Sequence, residues 1–182
     1  MVNIYEQKLT NLQQKILRVL MIKSGISLNA LNIARAINVS QPAISKSILY
    51  LVKENYILVE KDKESGRFAI QLNRENPFVM QLKRIENLKL IYESRLANFL
   101  EKEFAGGTII IFGSYSRGDD TINSDIDFAI IGRKEKLIKL DKFEKILERK
   151  INISFYNSFG DIHKNLKENI FNGFVLFGGV EL

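Results

Sequence analysis

The sequence predicts a two-domain α+β protein, and three observations carry that prediction. Apolar residues recur at helical spacing through the first 52 positions and then switch to short extended runs. A polar break with one of only two prolines, Asn73-Arg74-Glu75-Asn76-Pro77, follows. Beyond it, an apolar strand runs into a Gly-Ser turn, and a second strand carries two acids one residue apart.

Composition narrows the function classes. At 182 residues, with 46% hydrophobic and 26% charged residues, the chain can bury a proper core. It has no cysteine and one histidine. That excludes disulfide frameworks, Cys/His zinc sites and cysteine nucleophiles, and leaves His163, in a polar helical context, as a surface residue. Any metal must be held by oxygen, which favours Mg2+ or Mn2+. Apolar runs such as Thr108–Phe112 are far too short to span a bilayer, and the N-terminus lacks a signal peptide's basic start and apolar core. A cytoplasmic protein with no membrane partner is expected.

The net charge of +6 is unevenly placed. Residues 1–75 hold 11 Lys and Arg against 6 Asp and Glu, whereas residues 106–182 hold 11 of each. Two parts with different partners are therefore expected.

In the first part, Leu9, Leu12, Ile16, Leu17, Val19 and Leu20 predict an amphipathic helix over 7–23, ended by Gly25. Ser27 is the expected N-cap of a second helix carrying Leu28, Leu31, Ile33, Ala34 and Ile37. After the turn Asn38-Val39-Ser40, Pro42 marks the start of a third, with Ile44, Ile48, Leu51 and Val52 forming one face. Ile57–Glu60 and Arg67–Leu72 read as strands around the turn Asp62–Gly66. This order resembles a winged helix-turn-helix, and Val39 to Ile48 resembles the turn and recognition helix of bacterial and archaeal regulators. The resemblance implies duplex DNA as partner, with Gln41, Ser45 and Lys46 facing bases or phosphates and Lys61, Lys63 and Arg67 on the wing. Winged helices also serve as docking or dimerisation modules.

Residues 78–103 hold Val79, Leu82, Ile85, Leu88, Ile91, Tyr92, Leu96, Phe99 and Leu100, which predicts one long helix. Its stripe packs within the chain or against a second copy in a homodimer. Ala105-Gly106-Gly107 is a joint before the next strand.

The chemistry concentrates after residue 109. Ile110-Ile111-Phe112-Gly113-Ser114 is a strand entering a turn of small residues, suited to approach by phosphate. Side chains alternate along a strand, so Asp125 and Asp127 point one way while Ile126 and Phe128 point into the core. Two adjacent carboxylates repel, and a divalent cation is the commonest relief.

Gly113-Ser114, ten intervening residues from Tyr115 to Ser124, then Asp125-x-Asp127 resembles the signature of the DNA polymerase β-type nucleotidyltransferases, in particular their minimal members. The expected architecture is a winged helix-turn-helix over 1–75, a linker helix over 76–104 and a polymerase β-like α/β domain over 105–182. The resemblance implies that Asp125 and Asp127 are catalytic and bind the metals, and that Gly113 and Ser114 hold the phosphates of an NTP, ATP foremost. Arg117 would aid phosphate binding or pair with Asp119 or Asp120. An acceptor hydroxyl on a protein or small molecule would attack the α-phosphate as pyrophosphate leaves.

The family adds a third carboxylate on a later strand. A helix is expected over 134–149, then the strand Lys150–Tyr156, in which Asn152 holds that third position. An amide adds no charge and cannot act as a base. Either two carboxylates suffice, or Asp141, Glu144, Glu148 or Asp161 substitutes, or the site binds nucleotide without turnover. Asp161–Gly173 reads as the last helix and Phe174–Phe177 as a closing strand or tail. The resemblance also suggests the antitoxin side of a toxin–antitoxin pair, with a small helical protein partner. The competing reading is a DNA-binding regulator whose C-terminal domain only binds nucleotide or a partner.

Overall fold

The structure, a computed structural model, describes residues 8–61, 66 and 68–180. The chain divides into two compact units, Met1–Val79 and Met80–Leu182. Among the described residues no helix is long and apolar enough to cross a membrane.

The first unit is a winged helix-turn-helix: helices α1 (Asn11–Ile22), α2 (Ala30–Ile37) and α3 (Gln41–Lys53), then a hairpin of β1 (Ile57–Lys61) and β2 (Phe68–Leu72). α1 starts later than the apolar pattern predicts. Thr10 and Gln13 form a capping box, with Gln13 Oε1 accepting from Thr10 N at 2.8 Å and Thr10 Oγ1 from Gln13 N at 3.3 Å. The expected cap Ser27 is also corrected. Asn29 caps α2, its side chain accepting from Asn32 N at 2.8 Å, because Leu28 is committed to the sheet, pairing antiparallel with Ile70. Asn38 ends α2 in the left-handed region at φ 55°, which makes the turn into α3 tight. Ile16, Leu20, Ile33, Ile44, Leu51, Ile57 and Ile70 close the core. Lys63 and Arg67 lie outside the described residues.

The expected single helix over 78–103 is two: α4 (Pro77–Glu93) and α5 (Leu96–Glu103). Arg95 sits in the left-handed region at φ 65° and breaks the helical path. α5 and the end of α4 supply Ile91, Leu96, Ala97 and Leu100 to the core of the second unit, and from Met80 on the stretch belongs to that unit.

That unit is built on a four-stranded sheet in the order β5-β4-β3-β6, from β3 (Thr108–Phe112), β4 (Ile126–Ile131), β5 (Ile151–Tyr156) and β6 (Phe174–Phe177). β4 and β5 are parallel, joined through α7 (Asp141–Leu147), and the other pairs are antiparallel. Both sheet faces are covered. Ile109, Ile111, Ile126, Phe128 and Ile130 pack with Leu96, Phe143 and Leu147 on one side. Ile110, Phe112, Ala129 and Ile131 pack with Phe159, Ile162 and Ile170 on the other. Two buried faces explain why residues 109–112 of β3 and 128–131 of β4 are apolar in succession rather than alternating.

α7 is shorter than the predicted 134–149. Arg133 reaches back to the Ala105 carbonyl at 2.8 Å and Lys136 pairs with Glu103, which holds the preceding segment extended and leaves Leu137 97% exposed. Glu148, at φ 53°, ends the helix. The last helix, α8 (Lys164–Phe171), is also shorter than expected. His163 caps it, Nδ1 accepting from Asn165 N at 3.3 Å.

Candidate active site

The site forms where β3 ends and the parallel pair β4 and β5 begins. β3 stops at Phe112, and α6 (Gly113–Arg117) starts at once. Gly113 has φ +77°, and a Cβ there would lie 2.6 Å from Asp127 Oδ2, so only glycine lets the turn close over that carboxylate. Ser114 follows, half-buried at the start of α6.

Asp125 directly precedes β4, and Asp127 is its second residue. Ile126 and Phe128 are fully buried between and beyond them, so both acids turn to the other face, as strand alternation requires. Asn152 stands opposite Asp127 in the parallel register. Its amide nitrogen donates to Asp125 Oδ2 at 3.1 Å and to Asp127 Oδ1 at 3.2 Å. One side chain therefore bridges both carboxylates, satisfying them with neutral donors where a third acid would repel.

The four carboxylates that could substitute for a third acid fall in two places. Asp141, Glu144 and Glu148 line a cleft of about 500 Å3 with Asp125, Ser124 and Lys145. Glu144 is committed there: it accepts from Lys150 Nζ at 2.9 Å and from Ile151 N at 3.1 Å. The Lys150 hydrogen bond, followed by the Ile151 amide, holds its carboxyl below the ordinary 4.5, while Glu144 holds Lys150 above the ordinary 10.5. Asp161 lies beyond the far end of β5, accepting from Ser158 N at 3.1 Å, and is remote from the pair along that strand. Among the described residues, no group of three or more acids or histidines could hold a metal.

Arg117 is directed to Asp119 Oδ2 at 3.1 Å and to Asn169 Oδ1 at 2.7 Å, the first of the pairings expected for it. Asp120 does something else. It is 1% exposed and shared by three donors: Lys83 Nζ, Asn87 Nδ2 at 2.7 Å and Arg149 Nη2 at 3.5 Å. Apolar spacing gives no sign of this cluster. The buried line of α4 runs through Lys83, Asn87 and Ile91 at four-residue spacing, whereas Ile85 and Tyr92 of the expected stripe are 63% and 42% exposed. α4 also carries Gln81, Arg84, Glu86, Lys89 and Glu93, so nothing in its sequence singles out Lys83 and Asn87 as buried.

In the first unit, Gln41, Ser45 and Lys46 are all exposed on α3, and Lys61 is exposed at the end of β1. Gln41 and Ser45 also line a groove of about 620 Å3 with Leu31, Leu49, Val52 and Phe68. The outward face of α3 is thus polar in its first half and apolar in its second, with Leu49 69% exposed. The Ser45 hydroxyl donates to the Gln41 carbonyl at 3.3 Å.

Residues 93–177 match the family described as nucleotidyltransferase domain. No curated protein matches the chain. Among solved structures, the adhesin competence repressor AdcR of Streptococcus pyogenes aligns over 56% of this chain and 72% of its own, at 26% identity and a TM-score of 0.43. A variant of ZitR from Lactococcus lactis aligns over 58% and 70%, at 17% identity and a TM-score of 0.41.

Proposed function

We propose, from the premise that residues 93–177 are a nucleotidyltransferase domain, that Asp125 and Asp127 bind the Mg2+ or Mn2+ complex of a nucleoside triphosphate, ATP foremost. The domain then moves the NMP group to a hydroxyl of a protein or small molecule. One observation carries this reading: the two carboxylates converge on a single amide, beside a glycine whose missing Cβ leaves room for Asp127.

The donor set fits the cation. Mg2+ keeps several waters and is held by one or two carboxylates together with substrate phosphates, so a two-acid site is sufficient. Bound there, the ion supplies neutralisation of the triphosphate and of the leaving pyrophosphate. Gly113 and Ser114 face the phosphates from the turn. Asn152 keeps Asp125 and Asp127 aligned through its two donated bonds. The acceptor oxygen bonds to the α-phosphorus as the bond to pyrophosphate breaks. The hydroxyl proton leaves to water or to the carboxylate pair, since an amide cannot take it.

Asn152 favours a second reading, in which nucleotide is bound and not turned over. For the first unit we take duplex DNA as the partner, supported by the charge excess of residues 1–75 and by exposed Lys46 and Lys61. The cytoplasm, where NTPs and DNA meet, is the matching compartment. A small helical protein partner in a toxin–antitoxin pair is the extension that co-purification would test.

Calorimetric titration of ATP with Mg2+ or Mn2+, repeated with EDTA, tests the site. Binding should require the cation and fall at least tenfold in Asp125→Asn/Asp127→Asn. Unchanged affinity in that double variant would overturn the assignment. Pyrophosphate release in the presence of an acceptor separates transfer from binding alone.

A further inference from the structure

We propose that Asp120 is a positioning residue that sets the spacing of Asp125, Asp127 and Asn152, a role that rests on the nucleotidyltransferase reading above. Asp120 comes five residues before Asp125, and Arg149 three residues before Asn152. Their side chains meet in the interior, Arg149 Nη2 lying 3.5 Å from Asp120 Oδ2, with both residues almost fully buried. The contact joins the two chain segments that feed the parallel strands β4 and β5. Just beyond it the Ile126 amide donates to the Lys150 carbonyl at 2.8 Å, the first rung of that pair. One rung later Asp127 and Asn152 stand opposite each other.

The other oxygen of Asp120 ties this junction to α4. Oδ1 accepts from Lys83 Nζ and from Asn87 Nδ2. The same helix face holds the opposite wall of the site: Asn87 Nδ2 also donates to the Tyr115 carbonyl at 2.8 Å, and Arg84 Nε to the Ser116 carbonyl at 3.1 Å. Gly118, at φ +82°, lies so close that a Cβ would fall 2.7 Å from the Met80 carbonyl oxygen. α4 therefore grips α6, which carries Ser114, and the loop that leads to Asp125. Within that loop, Ser124 Oγ accepts from Thr121 N at 2.9 Å and Ser124 N donates to Thr121 O at 3.0 Å. The link from Asp120 to Asp125 is a short turn with its own hydrogen bonds.

A fold alone does not call for such a cluster. Well-packed apolar side chains of similar volume hold elements together as well as a buried ion cluster does. What charged, directional contacts add is a fixed distance. A site that brings two carboxylates together and then receives a multiply charged triphosphate needs that distance held.

The test uses the full chain and the variants Asp120→Asn and Lys83→Met. The second leaves Asp120 with Arg149 and Asn87. Melting curves choose a temperature at which each variant is folded. The side-chain amide signals of Asn152, assigned by their loss in Asn152→Asp, are then recorded by NMR without metal, and Mn2+–ATP affinity is measured by calorimetry. Asp120→Asn should shift the Asn152 amide signals and weaken ATP binding about tenfold, with Lys83→Met moving both in the same direction by less. A folded Asp120→Asn with wild-type amide signals and affinity overturns the proposal. Should that variant not fold, unchanged signals and affinity in Lys83→Met overturn it instead. A wild-type protein that binds no ATP defeats the nucleotide reading, and the Asn152 signals alone then decide whether Asp120 positions them.

Discussion

Asn152 faces Asp127 across the parallel register of β4 and β5, and its amide donates to that carboxylate at 3.2 Å. The same nitrogen reaches Asp125 at 3.1 Å, so the amide holds together two acids that would otherwise repel. Replacing it with a third acid inverts this. Asn152→Asp removes two charge-assisted bonds and adds a like charge beside the pair. In EDTA it should lower stability by about 1–2 kcal/mol, a discounted figure because the side chain is exposed. Mn2+ should then raise its melting temperature more than that of the wild type, by binding the folded state only. Melting curves with and without Mn2+ decide this, and equal metal responses would show that position 152 does not face the cation.

Gly113 and Gly132 share φ +77°, but their surroundings differ. A Cβ at 113 would meet Asp127 Oδ2 at 2.6 Å, and one at 132 would meet nothing within 4 Å. Alanine at either position carries the left-handed strain of about 1 kcal/mol. Only Gly113→Ala must also displace Asp127. Denaturant unfolding should show a loss in both, and ATP titration should show weakened binding, about tenfold, in Gly113→Ala alone. Weakened binding in both variants would trace the effect to general strain.

The strand–turn–strand around Gly113 and Asp127 is legible in the sequence because local pattern and chemistry agree there. Period-two alternation alone puts Asp125 and Asp127 on one face of β4 and Asn152 on the polar side of β5. What the pattern hides is tertiary. Leu137 fits a helical stripe, yet Arg133 is fastened to the Ala105 carbonyl and the segment runs extended. Ser27 is a good cap by type, yet Leu28 pairs with Ile70 and moves the cap to Asn29. Lys83 and Asn87 look like surface residues of α4 until Asp120 is placed against them. Each of these differences comes from a long-range partner that residue spacing does not encode.

The break at Arg95 is the sharpest case, since nothing in Glu93-Ser94-Arg95-Leu96 interrupts an apolar stripe. Ser94 supports it, donating its hydroxyl to the Ile91 carbonyl at 3.0 Å. Arg95 then takes φ 65°, a conformation that glycine adopts without penalty. Arg95→Gly should leave stability unchanged or raise it by up to about 1 kcal/mol. In a continuous helix the same change would lower it by about 1 kcal/mol. The sign of the shift in the urea midpoint distinguishes the two.

Glu144 gives the site a pH-dependent edge. Its folded carboxyl is held below the ordinary 4.5, chiefly by Lys150 and then by the Ile151 amide. The unfolded chain therefore takes up this proton first as the solution is acidified. The stability that Glu144 contributes is complete above its unfolded value and is lost as pH falls through the folded one. Lys150 runs the opposite way: its contribution is present below 10.5 and lost as pH rises through its raised value. Melting temperatures of the wild type and Glu144→Gln should thus differ near neutral pH and draw together as the pH falls below 4.5. A gap that stays constant through that range would mean that the carboxyl is not engaged in solution.

The outward face of α3 makes a divided prediction for DNA. Lys46 is exposed in the polar half, where a recognition helix meets phosphates and base edges, whereas Leu49 and Val52 occupy the apolar half. A lysine on a phosphate adds affinity that is independent of base sequence and falls with salt. Lys46→Ala should weaken binding to every duplex tested and reduce the slope of log affinity against log salt by about one. Asp125→Asn, in the other unit, should leave both quantities unchanged. Fluorescence anisotropy across a salt series measures each. A slope unaffected by Lys46→Ala would remove α3 from the DNA interface and leave its apolar half, around Leu49 and Phe68, as the surface to explain.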